Sequence, residues 1–152
     1  MFSGAAVRVW VGIAAAVLVL APASVPAAPQ PTFRVIVHMN NPVSVLTVVE
    51  LQRIFRKQTR MWSNGESMVP VDWDATSPVR ADFSDKVMRR SVREMAEFWV
   101  QQNITQGLTP PTTLKSSRAV LRFVGSVPGA IAYVPVDEVD DTVKRLEVKG
   151  LL

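Results

Sequence analysis

Residues 69–83, VPVDWDATSPVRADF, bring several side chains that can bind an anion close together. An apolar run ends at Trp73, a polar turn follows, and Ser77 has the form of a helix N-cap with proline after it. Thr76 and Ser77 carry hydroxyls, and Arg80 lies in the first helical turn. Together with backbone N–H groups, these side chains can hold a tetrahedral oxyanion by charge-assisted hydrogen bonds. We therefore take Thr76, Ser77 and Arg80 as candidate ligand-binding residues.

The same junction also has a purely structural interpretation. Ser77 can cap the helix, while Arg80 pairs with Asp74 or Asp82. Asp72 and Asp74 oppose a bare anion, although a protonated ligand can donate a hydrogen bond to one of them. The sequence leaves oxyanion binding and plain capping open.

Other residues with chemical potential give weaker signals. Trp73, at the carboxyl end of its strand, is a further candidate ligand contact, whereas Trp62 and Trp99 are expected to pack. The single histidine, His38, is interpreted as a strand-end residue. The sequence has no cysteine, no metal-ligand spacing and no nucleophile motif. We therefore expect no catalytic residue, no metal, no cofactor and no enzyme.

Strands are predicted from short β-branched and apolar runs bounded by turn residues. These runs are FRVIVH at 33–38, MVPVDW at 68–73, AIAYV at 130–134 and a last edge strand within 143–148. The run at 130–134 is wholly apolar, as expected of a central strand covered on both faces.

Helices are predicted from capping signals followed by apolar stripes at helical spacing. The first three begin after caps at Thr47, Ser77 and Ser91, and the fourth runs roughly from Ser117 to Val124. This alternation predicts an α/β domain with a single open, mostly parallel sheet flanked by helices. Ligands of such sheets bind beyond the carboxyl ends of the strands, so residues 39–47 and 72–80 are the predicted ligand-facing loops.

The first 27 residues read as a signal peptide. Arg8 precedes an apolar run, Val9 to Leu20, and small residues suit cleavage after Val25-Pro26-Ala27. The run is short for a spanning helix, which needs about 20 residues; an uncleaved anchor is the alternative. Residues 28–152 then form one exported, periplasmic domain that contains no disulfide.

Charge gives a modest basic excess, 17 Lys and Arg against 13 Asp and Glu. Much of it lies in two clusters: Arg53, Arg56, Lys57 and Arg60, and then Lys86, Arg89, Arg90 and Arg93. Neither cluster has the aromatic interleaving of a nucleic-acid groove, so no nucleic acid is expected as a partner. The clusters are either solvated faces or a means of attracting a small anion or an acidic partner.

Two segments carry a family resemblance. LQRIFRKQTRMWSNGE and VGSVPGAIAYV (124–134) resemble segments of the periplasmic phosphate-binding proteins of ABC transporters, and the resemblance spans about residues 33–148. Full-length members have two lobes that close around the ligand, and this chain resembles one lobe of such a type II periplasmic binding protein. The family's Arg-x-Asp-x-Ser-Gly-Thr motif is replaced here by residues 72–80, DWDATSPVR, so phosphate specificity does not carry over residue by residue.

The resemblance implies weak binding of phosphate or a related oxyanion for an ABC transporter or a sensor. An alternative is a ligand-free protein-interaction module that has kept the fold. In a third interpretation, two copies, or one copy and a partner, face each other and rebuild a cleft as a homodimer or a complex.

Overall fold

The computed structural model describes Gly4 and residues 31–151, so the predicted signal peptide, apart from Gly4, lies outside the described residues. The elements in residues 31–151 are β1 (Phe33–Val37), β2 (Val45–Thr47), α1 (Val48–Phe55), β3 (Val69–Trp73), α2 (Pro78–Phe83), α3 (Val92–Gln106), β4 (Thr112–Leu114), α4 (Ser117–Ser126), β5 (Ala130–Pro135), β6 (Lys144–Arg145) and β7 (Glu147–Lys149). A π-helical turn, Ser84–Met88, continues α2, and a 3₁₀ turn, Val136–Glu138, follows β5. None of the helices in residues 31–151 has both the length and the apolarity needed to cross a bilayer.

The main sheet has five strands in the order β4-β3-β5-β1-β6. Strand β3 is parallel to β4 and β5, while β1 is antiparallel to β5 and β6. Four strands therefore run in one direction and β1 in the other, which confirms the predicted mostly parallel sheet flanked by helices. A second sheet of two parallel strands, β2 and β7, completes the fold.

The reversed direction of β1 separates the two loops that were expected to face a ligand. Phe33 pairs with Pro135 and Val37 with Ile131, so the carboxyl end of β1 meets the amino end of β5. Residues 39–47 therefore follow β1 at the edge of the sheet opposite to residues 72–80. The prediction that both loops share the ligand-facing edge is wrong, because it assumed that β1 is parallel to β3.

The core lies on both faces of β5, whose residues Ala130 to Val134 are all fully buried. Tyr133 of β5 stacks on Phe83 of α2 with ring centroids 3.8 Å apart and planes 2° from parallel. Phe33 and Phe55 pack edge-on or tilted against the same two rings. This aromatic cluster fixes α2 against the sheet and therefore sets the position of the β3–α2 junction.

The predicted helix starts differ in how their caps work. The capping boxes of Thr47 with Glu50 and of Ser91 with Glu94 both form. Ser77 is the N-cap of α2, but its side chain makes no capping hydrogen bond. The backbone carbonyl of Ser77 instead accepts from the N–H groups of Arg80 and Ala81. The first turn of α2 therefore has few free donors for an anion.

The carboxyl-terminal part of the chain forms two strands where one was predicted. The single strand expected within residues 143–148 is two short strands, β6 in the main sheet and β7 beside β2. Between them the buried Leu146 donates its N–H to the carbonyl of Val35. Strand β4 was not predicted, because three residues after two prolines are too short to show a period.

Gly129 marks a close approach of two chain segments. A Cβ at this position would lie 1.9 Å from the carbonyl oxygen of Ser67. The carbonyl of Gly129 also accepts hydrogen bonds from the backbone of Val69 and from Nε1 of the buried Trp62, both at 2.9 Å. The glycine of the PGAIAYV segment is therefore required by packing.

Candidate functional site

The junction between β3 and α2 lies at the carboxyl edge of the main sheet. Its turn is held by Asp74, whose Oδ1 accepts from the backbone N–H of Thr76 at 3.1 Å and from its hydroxyl at 2.6 Å. The N–H of Ser77 donates to the carbonyl of Asp74 at 3.0 Å. The Thr76 hydroxyl, a candidate ligand-binding group, thus already donates a hydrogen bond within the turn.

Arg80 is buried at the same edge and is 9% exposed. Its Nη1 lies 2.9 Å from Oδ2 of Asp72 and donates to the carbonyl of Trp73 at 2.5 Å. The expectation that Arg80 pairs with Asp74 or Asp82 is wrong in both cases. Asp82 instead pairs with Lys86 and accepts from the hydroxyl of Thr32 at 2.6 Å. Sequence spacing misled here, because Asp72 and Arg80 belong to different elements that meet only in the fold.

Asp72 connects Arg80 to the core. Its Oδ1 accepts from the backbone N–H of Trp73 at 2.8 Å and from the hydroxyl of Tyr133. Burial raises the pKa of Asp72 above its ordinary value, and the nearby Arg80 and the Tyr133 hydroxyl work against that rise. Burial, together with the adjacent Asp72, raises the pKa of Tyr133 well above 10. We call Arg80, Asp72 and Tyr133 the buried triad.

The guanidinium of Arg80 keeps one edge open. Within residues 31–151, its hydrogen bonds come from Nη1, and Nε and Nη2 make none. In the same part of the chain, Asn41 Nδ2 is the only fully buried side-chain nitrogen or oxygen that lacks a partner. The outer nitrogens of Arg80 are therefore not sealed in the interior, and they keep hydrogen-bonding capacity toward the surface.

Arg80 lines a surface groove of about 560 Å³, which we call the carboxyl-edge groove. Asp74, Arg80 and Thr113, from the β3–α2 junction and the adjacent β4, form what we call its polar end. Helix α3 supplies Trp99, Val100 and Ile104 together with the polar Asn103. Trp99 is 5% exposed, whereas Val100 and Ile104 are 61% and 75% exposed. A cavity of about 630 Å³ along α4 is larger, but none of the predicted site residues lines it.

The four predicted site residues are placed differently with respect to this groove. Arg80 lines it, whereas Thr76, Ser77 and Trp73 do not. Trp73 is 5% exposed, and its Nε1 donates to the carbonyl of Tyr133 at 2.7 Å. Ligand contact by any of the four remains a prediction.

The apolar side of the groove was not predicted from the sequence. Ala96, Val100 and Ile104 recur at every fourth position of α3, and all three are exposed. The apolar pattern Val92, Met95, Ala96 and Trp99 predicts one stripe on this helix, but Ala96 is wrongly included, because only Met95 and Trp99 are buried. The i, i+4, i+8 spacing was the available signal, and only the tertiary structure shows which stripe faces the core.

The remaining polar candidates lie away from the groove. His38 is half-buried after β1, and its Nδ1 accepts from the N–H of Asn40. Among residues 31–151, no three histidine or acidic side chains are close enough to hold a metal ion. The two basic clusters lie close together: Arg56 of the first donates to the carbonyl of Met88, which directly precedes Arg89 and Arg90 of the second. Burial, and to a smaller extent the charge of Arg90, lowers the pKa of Arg56.

No protein-family model matches the chain, and no curated protein matches it. Solved structures do match. An ABC-type phosphate transport receptor from Vibrio cholerae aligns with a TM-score of 0.63 and 20% identity, over 78% of this chain and 46% of that one. A phosphate ABC transporter substrate-binding protein from Clostridium perfringens, solved with bound phosphate, aligns with a TM-score of 0.62 and 25% identity, over 80% and 46%. PstS from Borrelia burgdorferi aligns with a TM-score of 0.61 and 13% identity, over 80% and 48%.

These similar structures are binding proteins rather than enzymes by their descriptions. The chain spans less than half of the length of each, although about four-fifths of it is covered. The resemblance seen in the sequence is thus confirmed at the level of fold: the chain has the fold of a single lobe of the phosphate ABC transporter substrate-binding proteins.

Proposed function

We propose that this domain binds phosphate or a related oxyanion weakly at the carboxyl-edge groove, in the periplasm, and serves an ABC transporter or a sensor. The observation that carries the proposal is Arg80. Nη1 of its guanidinium is held by Asp72 and the Trp73 carbonyl, Nε and Nη2 make no hydrogen bond within residues 31–151, and the residue lines the groove. A guanidinium that is already ordered loses little conformational freedom when it binds an anion.

Asp74 gives the groove a basis for selecting among oxyanions. Its hydrogen bonds from Thr76 lower the pKa of Asp74, so the residue is a carboxylate at neutral pH. A carboxylate repels a fully deprotonated anion but accepts a hydrogen bond from a protonated one. Phosphate retains a proton near neutral pH and sulfate does not, so we expect preference for phosphate.

The affinity should be modest because the groove is a surface feature of one lobe. Tight small-molecule sites bury most of the ligand. A second copy of the chain, or a partner, placed over the groove would desolvate the other side of the ligand. Dimer formation that strengthens with phosphate would therefore extend the proposal to a homodimer.

Calorimetric titration with phosphate and sulfate tests the proposal on the purified protein and on Arg80→Lys. Lysine keeps a positive charge beside Asp72 but removes the open edge of the fork. We expect Arg80→Lys to weaken phosphate binding at least about tenfold, whereas Arg122→Lys, on the exposed side of α4, should leave it unchanged. Binding that is equal in both variants, or no binding up to millimolar phosphate, would contradict the proposal.

A second candidate function is protein interaction without a small ligand. Val100 and Ile104 support this function, because both are large apolar residues that lie mostly exposed on one helix face, as in a protein-interaction surface. In this case phosphate binding would be absent, and Ile104→Asp would abolish cross-linking to a membrane-protein ectodomain. Retained cross-linking in Ile104→Asp would argue against this face as the interface.

A further inference from the structure

We infer that the oxyanion taken by the carboxyl-edge groove carries a short apolar substituent, as in an alkyl or aryl phosphate monoester. The inference rests on the proposed function and names the ligand class for the same site. Three features carry it: the size of the groove, the continuous apolar strip on α3, and the placement of Arg80 beside that strip.

The groove is larger and more apolar than an inorganic oxyanion requires. Its volume is about 560 Å³, its two charged lining residues, Asp74 and Arg80, come from the β3–α2 junction, and Asn103 is the one polar lining residue on α3. Inorganic phosphate bound to Arg80 would occupy the polar end and leave the remainder of the groove filled with water. A ligand with an apolar body would use the whole groove.

The apolar strip lies along one helix face. Ala96, Val100 and Ile104 are spaced four residues apart on α3, so their side chains follow one another along the groove. Trp99 and Pro110 also line it. Val100 and Ile104 are 61% and 75% exposed, so an apolar group lying on them would remove a substantial apolar area from water.

The polar end suits the head group of a monoester. The buried triad fixes Arg80, whose outer nitrogens can donate to phosphoryl oxygens. Asp74 lines the same end, and a monoester in its singly protonated form can donate to it. The second ionisation of a phosphate monoester has a pKa of about 6, so protonation is accessible under mildly acidic conditions. Thr113 adds a hydroxyl at the same end.

Titration of the purified protein at about pH 5, where a phosphate monoester still carries one proton, with phenyl phosphate, inorganic phosphate and phenol tests the inference. We expect phenyl phosphate to bind at least about tenfold more tightly than phosphate or phenol, because it alone engages both ends of the groove. The double variant Val100→Ser/Ile104→Ser should lose most of this advantage, so that its affinity ratio for phenyl phosphate over phosphate falls toward one. Val49→Ser, at a 53% exposed position on α1, is the matched control and should change neither affinity.

The outcomes of these titrations distinguish failure of this inference from failure of the proposed oxyanion binding. Phenyl phosphate binding no more tightly than phosphate, with both weakened by Arg80→Lys, would overturn the inference and leave oxyanion binding intact. Phenol binding as tightly as phenyl phosphate, without response to Arg80→Lys, would overturn both. A dimer that the double variant dissociates in sedimentation would also overturn the inference, because a second copy would then cover the groove. Circular dichroism of each variant confirms that the fold is retained.

Discussion

The guanidinium of Arg80 lies 2.9 Å from the carboxylate of Asp72 beneath the carboxyl-edge groove, and each side chain is 11% exposed. Tyr133 donates to the same carboxylate from the central strand. Strand β3, helix α2 and strand β5 are therefore joined by one polar cluster next to the stacked rings of Phe83 and Tyr133. Because the pair is largely removed from water, removing either partner should destabilise the fold much more than removing one partner of a surface pair.

Arg80→Ala should destabilise the fold by about 3 kcal/mol, because it leaves a buried carboxylate without its cation. Adding Asp72→Asn should recover part of this loss, since a neutral amide needs no counter-charge and can still accept from Tyr133. Urea unfolding of the two single variants and the double variant measures the coupling. Strictly additive changes would show that the pair contributes no mutual stabilisation.

The capping residues should differ in what their removal costs. Ser91→Ala deletes a side-chain acceptor for the N–H of Glu94 and should cost about 1 kcal/mol. Ser77→Ala should cost close to nothing, because the Ser77 side chain makes no capping hydrogen bond. Both helices start at a serine, so the comparison isolates the hydrogen bond. Equal losses in the two variants would contradict the cap assignments.

Gly129 and Gly125 should respond in opposite directions to alanine. A Cβ at Gly129 would lie 1.9 Å from the Ser67 carbonyl, so Gly129→Ala should destabilise by about 2 kcal/mol or more. At Gly125, inside α4, the nearest atom outside the helix's own backbone would be the Thr142 carbonyl oxygen at 3.6 Å, and alanine should stabilise the helix by about 0.5–1 kcal/mol. Thermal unfolding measures both changes. A stable Gly129→Ala protein would show that the Ser67 segment can move away.

Acid should weaken the fold partly through Glu50 and Glu94. Hydrogen bonds from Thr47 and from Ser91 lower the pKa of these carboxylates below 4.5, so the folded state favours their ionised forms. Their stabilisation is therefore complete above about pH 4.5 and is lost as the pH falls through the lower folded-state values. Urea unfolding between pH 6 and pH 3 measures how steeply the free energy of unfolding falls with pH.

The matched variant for this titration is Glu50→Gln/Glu94→Gln. Glutamine retains the acceptor of the capping box but does not ionise. We expect its free energy of unfolding to fall less steeply below pH 4.5 than that of the parent, whereas parallel curves would exclude the two caps as a source of the acid response.

Local patterns in the sequence predicted much of the secondary structure. The capping boxes at Thr47 and Ser91 formed as expected, because both partners of each lie within four residues. The wholly apolar run at 130–134 became the buried central strand, since composition alone shows that both of its faces need covering. The short strand β4 and the division between β6 and β7 were not predicted, because two or three residues are too few to show an alternating apolar and polar pattern.

The sequence by itself determined the α/β class, the position of the β3–α2 junction and the presence of charged groups there. The tertiary structure alone decided that β1 is antiparallel, which removed residues 39–47 from the ligand edge. It also decided that Arg80 pairs with Asp72 and that Val100 and Ile104, rather than Trp73, line the groove. The physical reason is the same in each case: strand direction, ion pairing and groove lining depend on contacts between elements distant in the chain, whereas helix caps and apolar runs depend on near neighbours.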